Sequence, residues 1–378
     1  MERDQATKFI NDLLKLMVSR GGSDLFITAD FPPAIKVDGK VTKVSPQPLN
    51  ATHTLALTRS VMNDKQVAEF ERSKECNFAI APPAIGRFRV NAFMQQGKVG
   101  MVLRIIPLSV PTIDGLGMPV VLKDVAMAKR GLCILVGATG SGKSTTLAAM
   151  VDWRNENSFG HIITVEDPIE FVHAHKNCVV TQREVGIDTD SWSAALKNTL
   201  RQAPDVILMG EIRDRETMEH AVAFSETGHL CLATLHANSA NQALDRIINF
   251  FPEERRAQLL MDLSLNLKAM VSQRLIAKQD SKGRIAVVEV MLNSPLISDM
   301  IFKGEVTEIK EIMKKSRELG MQTFDQALFD AYEANQISYE NALRNADSVN
   351  DLRLQIKLNS QRGKSQDLSS GTENFAII

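Results

Sequence analysis

The sequence feature that most constrains the fold is a glycine-rich segment within residues 132–153. The apolar run at 134–136 predicts a buried strand, and the apolar-faced segment after Lys143 predicts a helix. Between them, the sequence fits the G-x-x-x-x-G-K-S pattern of a phosphate-binding loop. The loop residues predicted to bind nucleotide are Gly137, Ala138, Thr139, Gly140, Ser141, Gly142, Lys143, Ser144 and Thr145.

The residue types in this loop explain why it would bind phosphate. Glycines let the backbone wrap so that its N–H groups point inward around a polyphosphate, and the helix that begins there adds the positive end of its dipole. Lys143 would place a charge between the β- and γ-phosphates, and the Ser144 hydroxyl would be a ligand of Mg²⁺. A chance match in a glycine-rich turn is the alternative, but strand, loop and helix occur in the required order. The sequence therefore predicts a nucleotide-binding chain.

Composition and charge limit the other possibilities. The chain has 378 residues, of which 44% are apolar, and this suggests two or three domains with a large core. A formal net charge of −1 argues against a nucleic-acid binder, which usually has a basic excess. Residues 1–4 do not resemble a signal peptide, and no apolar run approaches membrane-spanning length. We therefore expect a cytoplasmic protein without direct membrane insertion, which could still dock on a membrane complex.

The four cysteines are scattered and contain no C-x-x-C pair. Neither disulfides nor a zinc site is therefore expected. Cys133 and Cys231 lie inside apolar runs, which predicts buried free thiols.

Residues 1–104 are predicted to form a small α+β domain, and the Pro- and Gly-rich residues after it predict a linker at 105–119. The two-residue turn of its hairpin is expected at 38–39. In order, the expected elements are a helix at 6–20, a strand at 23–28, a hairpin at 34–44, a helix at 52–73, and strands at 87–93 and 99–106.

Residues 120–292 alternate between strand and helix patterns, which predicts an α/β domain with a mostly parallel sheet and helices on both faces. Asp190 is expected to cap a helix at 191–201, and apolar residues at four-residue spacing predict a longer helix through 259–275. A helical segment at 293–358 and a polar, disordered tail at 359–378 should follow. The expected strands are 134–136, 161–165, 206–209, 230–234 and 285–289, and the expected C-terminal helices are 309–316, 323–333 and 338–346.

Acidic residues follow two of the predicted strands. Glu166 ends one of them, and Glu211 follows the strand at 206–209. The carboxyl ends of strands in an open α/β sheet line the ligand crevice, so both acids are expected beside the phosphate loop. A carboxylate at position 166 could deprotonate the attacking water. An apolar strand followed by an acid, as at Glu211, is typical of the strand that coordinates the metal ion in phosphate-loop enzymes. The alternative for either acid is a solvated turn residue.

Two histidines, His229 and His236, frame a third predicted strand. Because that strand should lie near the nucleotide, we predict a role for His229 in sensing the γ-phosphate. A structural role is an equally weighted alternative, since a histidine beside an apolar strand is often a satisfied structural residue.

Arginines lie on predicted strands of the first domain, at Arg87, Arg89 and Arg104. Alternation along the strand puts Arg87 and Arg89 on one face, opposite Phe88 and Val90. On this pattern alone, an exposed polar face without a further role is the favoured interpretation.

Taken together and in order, these segments resemble the secretion and type IV pilus motor ATPases, and most closely the PilT/PilU retraction motors. The resemblance covers residues 5–345. Besides the phosphate loop, the matching segments are Gly-Gly-Ser-Asp-Leu at 21–25, Gly-Arg-Phe-Arg-Val-Asn-Ala-Phe at 86–93, Thr-Val-Glu-Asp-Pro-Ile-Glu at 164–170, the run at 200–214 and the histidine box at 228–238.

The resemblance implies a PAS-like N-terminal domain, a RecA-like ATPase domain and a helical C-terminal segment, assembled as a homo-hexamer that uses ATP and Mg²⁺. It implies Glu166 as catalytic base, Glu211 as the acid on the metal side together with Ser144, and arginines that reach the phosphates, Arg104 foremost. The implied partner is a platform protein of the pilus at the inner membrane, where the motor would be peripheral. Nucleic acid is not an expected partner.

Within the family, the absence of a longer N-terminal region and of a four-cysteine zinc module favours a retraction motor. PilT-type motors carry Ala-Ile-Arg-Asn-Leu-Ile after the ATPase core, whereas this chain has Pro-Leu-Ile-Ser-Asp-Met-Ile at 295–301. The missing arginine and asparagine, and the polar tail, favour the PilU-type accessory motor that works with a PilT-type partner. The alternatives are an autonomous PilT-type motor, a RecA-like nucleic-acid motor and a ring subunit that binds but does not hydrolyse nucleotide.

Overall fold

The computed structural model describes residues 2–37, 39–107, 109–280 and 282–362, and the chain divides into two compact units. Unit 1 contains the chain up to residue 109 together with residues 169–172. Unit 2 contains residues 110–168 and the chain from residue 173 onward. Throughout the described residues, no helix has both the length and the apolar character that crossing a membrane requires.

Unit 1 is an antiparallel sheet with helices. In its described residues the strand order is β3-β2-β1-β6-β5-β4. The elements are α1 (Arg3–Ser19), β1 (Asp24–Ile27), β2 (Ala34–Val37), β3 (Lys40–Lys43), α2 (Ala51–Ser60), α3 (Asp64–Ser73), β4 (Glu75–Ile80), β5 (Arg87–Gln95) and β6 (Lys98–Ile106).

Local sequence explains most of unit 1. The alternation in β5 is confirmed, because Phe88 and Val90 are fully buried while the flanking arginines lie on the other face. The single helix predicted at 52–73 is wrong, because Asn63 and Gln66 form a capping box that starts a new helix, α3. The strand β4 was not predicted. The predicted turn at 38–39 includes position 38, which lies outside the described residues.

Unit 2 is built on a mostly parallel sheet, as predicted. Over the described residues the strand order is β13-β12-β7-β11-β10-β8-β9, and every neighbouring pair is parallel except β12 and β13. The elements are α4 (Val121–Ala126), β7 (Gly131–Val136), α5 (Lys143–Asn157), β8 (Gly160–Glu166), β9 (Cys178–Glu184), α6 (Trp192–Thr199), β10 (Val206–Met209), α7 (Arg215–Glu226), β11 (Leu230–Leu235), α8 (Ala240–Asn249), α9 (Glu253–Asn266), β12 (Leu267–Ala277) and β13 (Arg284–Leu292).

Strand β7 is covered on both faces, which explains its unbroken apolar sequence. Leu132, Ile134 and Val136 belong to one hydrophobic core, and Cys133 and Leu135 belong to the core on the opposite face. Burial raises the pKa of the Cys133 thiol to about 12. All four cysteines are within the described residues and are buried free thiols, as predicted for positions 133 and 231.

Two local predictions in unit 2 are wrong. The predicted helix through 259–275 ends at Asn266, and β12 then pairs with β7 and β13. Apolar side chains at four-residue spacing fit a helix, but positions four apart also share one face of a strand, because four is a multiple of the strand period of two. The cap of α6 is Ser191, whose Oγ accepts from the backbone N–H of Ala194 at 3.1 Å, and not Asp190. Strand β9 was not predicted.

The chain after β13 is helical, and Phe324 and Leu328 of this part pack on Ile276 of β12 and Val287 of β13. Its helices are α10 (Pro295–Lys303), α11 (Ile309–Lys315), α12 (Phe324–Glu333), α13 (Tyr339–Asn345) and α14 (Val349–Asn359). The helices α10 and α14 start within the segment predicted to be helical at 293–358 but are not among the three helices predicted individually. Ser360, just after α14, is buried and donates to Glu333. Residues 363–378 of the predicted tail lie outside the described residues.

Truncation of a buried side chain on α10 should destabilise unit 2. Ile301 is fully buried, whereas Leu296 on the same helix is 51% exposed. We expect Ile301→Ala to lower the free energy of unfolding by about 2–5 kcal/mol, because it removes apolar contacts and leaves a cavity. Leu296→Ala is the control and should change it by no more than about 0.5 kcal/mol. Urea denaturation measures both, and equal effects would contradict the packing of α10.

Candidate nucleotide-binding site

The glycine-rich segment forms a loop between β7 and α5, and its glycines are required by space and backbone geometry. Gly140 and Gly142 have φ angles of 76° and 90°, which side chains on L-residues rarely allow. A Cβ atom on Gly137 would lie 2.4 Å from Ser141 Oγ and 2.7 Å from the carbonyl oxygen of Gln273. The loop therefore approaches both itself and β12 too closely for larger residues.

Polar groups of the loop converge at the N-terminus of α5. The Lys143 ammonium donates to the carbonyl oxygens of Gly137 at 2.7 Å and Ala138 at 3.0 Å. Ser141 Oγ is buried, and no hydrogen-bond partner for it occurs within the described part of the chain. A buried hydroxyl without a partner, an ammonium and helix N–H groups fit a bound polyphosphate.

Cavities border the phosphate loop, and Ala138 of the loop lines two of them. One has a volume of about 290 Å³ and is lined by residues 137–141 together with Asn238, Gln273, Arg274, Leu275 and Arg284. The other has a volume of about 360 Å³ and is lined by Ala138, His236, Ala237, Asn238, Gln242 and Arg246. Asn238 lines both cavities.

Glu166 lies at the carboxyl end of β8, as predicted, and its orientation is fixed by hydrogen bonds. Its Oε1 accepts from Thr164 Oγ1 at 2.6 Å and from Gln182 Nε2, on β9, at 3.2 Å. The end of β10 comes close to it, because a Cβ atom on Gly210 would lie 3.3 Å from the Glu166 Cα. The two predicted acids therefore follow neighbouring strand ends.

Glu211 is held by Arg213 and His236. Its Oε2 accepts from Arg213 Nε at 3.0 Å, and its Oε1 lies 3.2 Å from His236 Nε2. Arg213 also reaches Asp167, with an Nη2–Oδ2 distance of 3.3 Å. Asp167, Glu211, Arg213 and His236 therefore form one network of polar contacts at the carboxyl edge of the sheet.

His229 lies at the opposite edge of the sheet from the phosphate loop of its own chain. It precedes β11 at the amino edge of the sheet, where Leu230 pairs with Gly131, and its Nδ1 lies 3.0 Å from Thr227 Oγ1 and 3.2 Å from the Phe224 carbonyl oxygen. His236 follows Leu235, which pairs with Val136 just before the phosphate loop. At about 3.3 Å per residue, β11 separates the two histidines by roughly 20 Å. His236 and not His229 therefore lies at the phosphate loop of its own chain.

The predicted arginines lie in unit 1 and share one face of its sheet. Arg104 on β6 pairs in register with both Asp24 on β1 and Arg89 on β5. Its Nε donates to Asp24 Oδ1 at 2.6 Å, and its side chain is 68% exposed while that of Asp24 is 4% exposed. Arg87 Nε is buried and has no hydrogen-bond partner among the described residues. A contact between these arginines and phosphate stays a prediction.

Gln273, which packs against the phosphate loop and the start of α5 from β12, was not identified from the sequence. Gln273 on β12 is 2% exposed, and its Oε1 accepts from Thr146 Oγ1 of α5 at 2.8 Å. Its Nε2 would lie 2.7 Å from a Cβ atom on Gly142. The available signal was the run of three polar residues at 272–274 between apolar residues, but a helix prediction for this segment does not reveal it.

The fit of a magnesium ion rests on Ser144 and Glu211. Ser144 is the second residue of α5, next to the Lys143 that faces the loop. A carboxylate offers about four lone-pair positions, so the two contacts of Glu211 leave capacity for a metal or its water. Across the described ranges, no group of three or more His, Cys, Asp and Glu residues could hold a metal ion. Mg²⁺ is usually held by one or two protein oxygens together with phosphates and waters, and Ser144 and Glu211 could supply those two oxygens.

Comparison with known proteins places the chain in a family. Residues 2–344 match the family described as type II/IV secretion system protein. The chain belongs to this family. It is 60% identical over 365 residues to the type IV pilus ATPase PilU of Pseudomonas aeruginosa, covering 97% of this chain and 95% of that protein. It is 44% identical over 337 residues to the type IV pilus retractation ATPase PilT of the same organism, covering 89% of this chain and 98% of that protein.

A solved structure agrees with this placement. The crystal structure of the pilus retraction motor PilT with bound ADP matches with a TM-score of 0.86 and 36% identity, covering 91% of this chain and 99% of that one. Sequence and fold together place the chain in the PilT/PilU group of pilus ATPases.

For a pilus ATPase with this geometry, Glu166→Gln should separate binding from hydrolysis. Glutamine keeps an oxygen that accepts from Thr164 and Gln182 but is not basic. We expect nucleotide affinity to stay near that of the wild type and turnover to fall by roughly 10²–10⁴, which is the usual contribution of a general base. Glu219→Gln, at a half-exposed residue of α7, is the control. Nucleotide titration and phosphate release measure the two quantities, and loss of binding would make Glu166 a structural residue.

Proposed function

We propose that this pilus ATPase is a motor that hydrolyses ATP to power type IV pilus retraction and twitching motility. The observation that carries the proposal is the convergence of the loop residues Ser141 and Lys143 with Glu166, Glu211 and His236 at the carboxyl edge of one sheet. In this proposal Lys143 binds the β- and γ-phosphates, Glu166 takes the proton of the attacking water, and Ser144 and Glu211 hold Mg²⁺. His236 takes the γ-phosphate role first assigned to His229.

The proposed assembly is a homo-hexamer, with unit 1 as a PAS-like domain, unit 2 as a RecA-like domain and the last helices as the C-terminal segment. Arg104, together with Arg87 and Arg89, would reach the nucleotide of a neighbouring subunit. Support comes from the Arg104 side chain, which is 68% exposed although its Nε is fixed by Asp24. With its Nε bonded to Asp24, the exposed guanidinium is held in an orientation from which its remaining N–H groups can donate to a phosphate.

Within the PilT/PilU group, we propose the PilU-type accessory role beside a PilT-type partner motor. Identity to PilU is 60%, against 44% to PilT. On α10, Ser298 Oγ donates to the Ser264 carbonyl oxygen at 2.7 Å, and Asp299 pairs with Lys303 at 2.6 Å. This part of the helix thus presents no arginine with which to contact the pilus platform. The proposed location is the cytoplasmic side of the inner membrane, at the pilus base.

An autonomous PilT-type motor is the second candidate. It is favoured by the TM-score of 0.86 to the PilT structure, which extends over 91% of this chain. The two candidates share the ATPase chemistry and differ only in whether retraction needs a partner.

Mixed rings can test whether Arg104 acts across a subunit boundary. Arg104→Ala should lower turnover by about 10³–10⁵ if the guanidinium contacts the γ-phosphate. Because the change leaves the buried Asp24 carboxylate without its partner, the double variant Asp24→Asn/Arg104→Ala is made as well. Mixing either with Lys143→Ala subunits should restore activity, since each subunit supplies what the other lacks. Arg59→Ala, at a half-exposed arginine of unit 1, is the control, and no recovery at any ratio would contradict supply in trans.

A strain that expresses this chain without the PilT-type partner tests the function itself. We expect ATP hydrolysis by the purified chain but weak retraction in this strain. Retraction should return when a hydrolysis-deficient partner is added, and it should be absent when this chain carries Lys143→Ala. Retraction force and twitching zones are the measurements. Strong retraction without the partner would support the autonomous candidate, and absence of ATP hydrolysis would contradict a motor.

A further inference from the structure

Two consecutive residues of β12 connect the phosphate site to two different parts of unit 2. Successive side chains on a strand point to opposite faces. Gln273 contacts Thr146 of α5, behind the phosphate loop, at 2.8 Å. Arg274 points the other way, and its guanidinium lies 3.9 Å from the ring centre of Phe324 on α12.

Arg274 joins the loop after β11 to the junction between α13 and α14. Its Nη2 donates to the carbonyl oxygen of Asn238 at 3.2 Å and to Asp347 Oδ1 at 2.8 Å. Its Nη1 donates to the carbonyl oxygen of Asn345 at 2.6 Å. Arg274 itself lines one cavity at the phosphate loop, and its planar guanidinium bridges Asn238, which lines both cavities, and the last two helices. Lysine could not do this, because its ammonium lacks the fixed fork of donors.

The junction itself is rigidly held. The backbone N–H groups of Asp347 and Ser348 donate to the Asp325 carboxylate at 2.8 and 3.1 Å. Burial of the Asp347 carboxyl opposes its ionisation, but hydrogen bonds and charges from Lys310 and Arg274 outweigh burial and lower its pKa below the usual range. The Asp347 carboxylate is therefore charged at neutral pH and fixed between two cations.

A second connection runs beside the first. Lys310, which pairs with Asp347, also lies 3.9 Å from Glu289 Oε2. The Oε1 of Glu289 accepts from the backbone N–H of Ala240 at 2.8 Å, at the start of α8. Both ends of the segment 238–240, which follows His236, are thus tied to the Asp347 carboxylate.

We propose that Arg274 is a positioning residue that couples nucleotide binding to the position of α13 and α14. Nucleotide at the loop favours one position of Asn238, and Arg274 transmits that preference to Asp347 and the junction. Coupling between two sites is reciprocal, so displacement of the junction changes nucleotide affinity by the same factor. The inference rests on the proposed function only in that the ligand is ATP or ADP.

The test compares Arg274→Lys and Asp347→Asn with wild type in the full chain. Asp330→Asn is the matched control, because Asp330 pairs with Arg317 in the same helical segment and is half-exposed. Hydrogen exchange of a peptide spanning 345–352 is followed with and without MgADP, and the dissociation constant of MgADP is measured by titration. In wild type and the control, MgADP should change exchange at the junction. In the two variants that change should disappear and the dissociation constant should shift by at least about fivefold, the lower range of coupling between sites.

Several outcomes would overturn the coupling. One is a wild-type chain that binds MgADP with no change in exchange at the junction. Another is a pair of variants with wild-type affinity for MgADP and a wild-type response of the junction to it. If Arg274→Lys does not fold, Asp347→Asn alone decides, because it keeps the guanidinium and its backbone contacts. A chain that binds MgADP and responds at the junction but does not hydrolyse ATP would support the coupling while contradicting the motor.

Discussion

The structure of unit 2 depends on the pairing of β7 with parallel strands on both of its sides. β7 is hydrogen-bonded to β11 and β12, and its side chains enter two hydrophobic cores. Parallel register brings the carboxyl ends of these strands to one edge. That edge carries the phosphate loop, His236 from β11 and Gln273 from β12. The buried pairing of β7 with its two neighbours thus fixes the position of the polar residues of the phosphate site.

Much of this arrangement could be predicted from sequence because its signals are local. The loop, the strand before it and the helix after it lie within about twenty residues of sequence, and glycine geometry makes the pattern specific. Glu166 and Glu211 could be placed because each follows an apolar strand, and strand ends meet at one edge. The alternation of arginines and apolar residues at 87–90 was equally readable.

The split of the predicted helix at 52–73 had a local signal, the capping box of Asn63 and Gln66, but the errors within the sheet occurred where long-range pairing decides. Residues 267–277 satisfy a helical spacing, and only their hydrogen bonds to β7 and β13 make them a strand. With that strand misassigned, neither Gln273 nor Arg274 could be connected to the nucleotide. β11 runs parallel to β7, so its carboxyl end lies beside the phosphate loop. The rule that ligands bind at the carboxyl ends of strands therefore favours His236 over His229. Gln182 was missed because β9 was missed.

The buried thiol on β7 has a consequence for labelling experiments on this ATPase. Cys133 is fully buried, and burial raises its pKa to about 12, so the reactive thiolate is nearly absent in the closed sheet. A thiol reagent can therefore modify it only while the central strands are locally open. The rate of its labelling during ATP turnover would report how often the sheet beneath the phosphate loop separates. Cys133 is thus a native probe of core opening, and no cysteine has to be introduced by mutation.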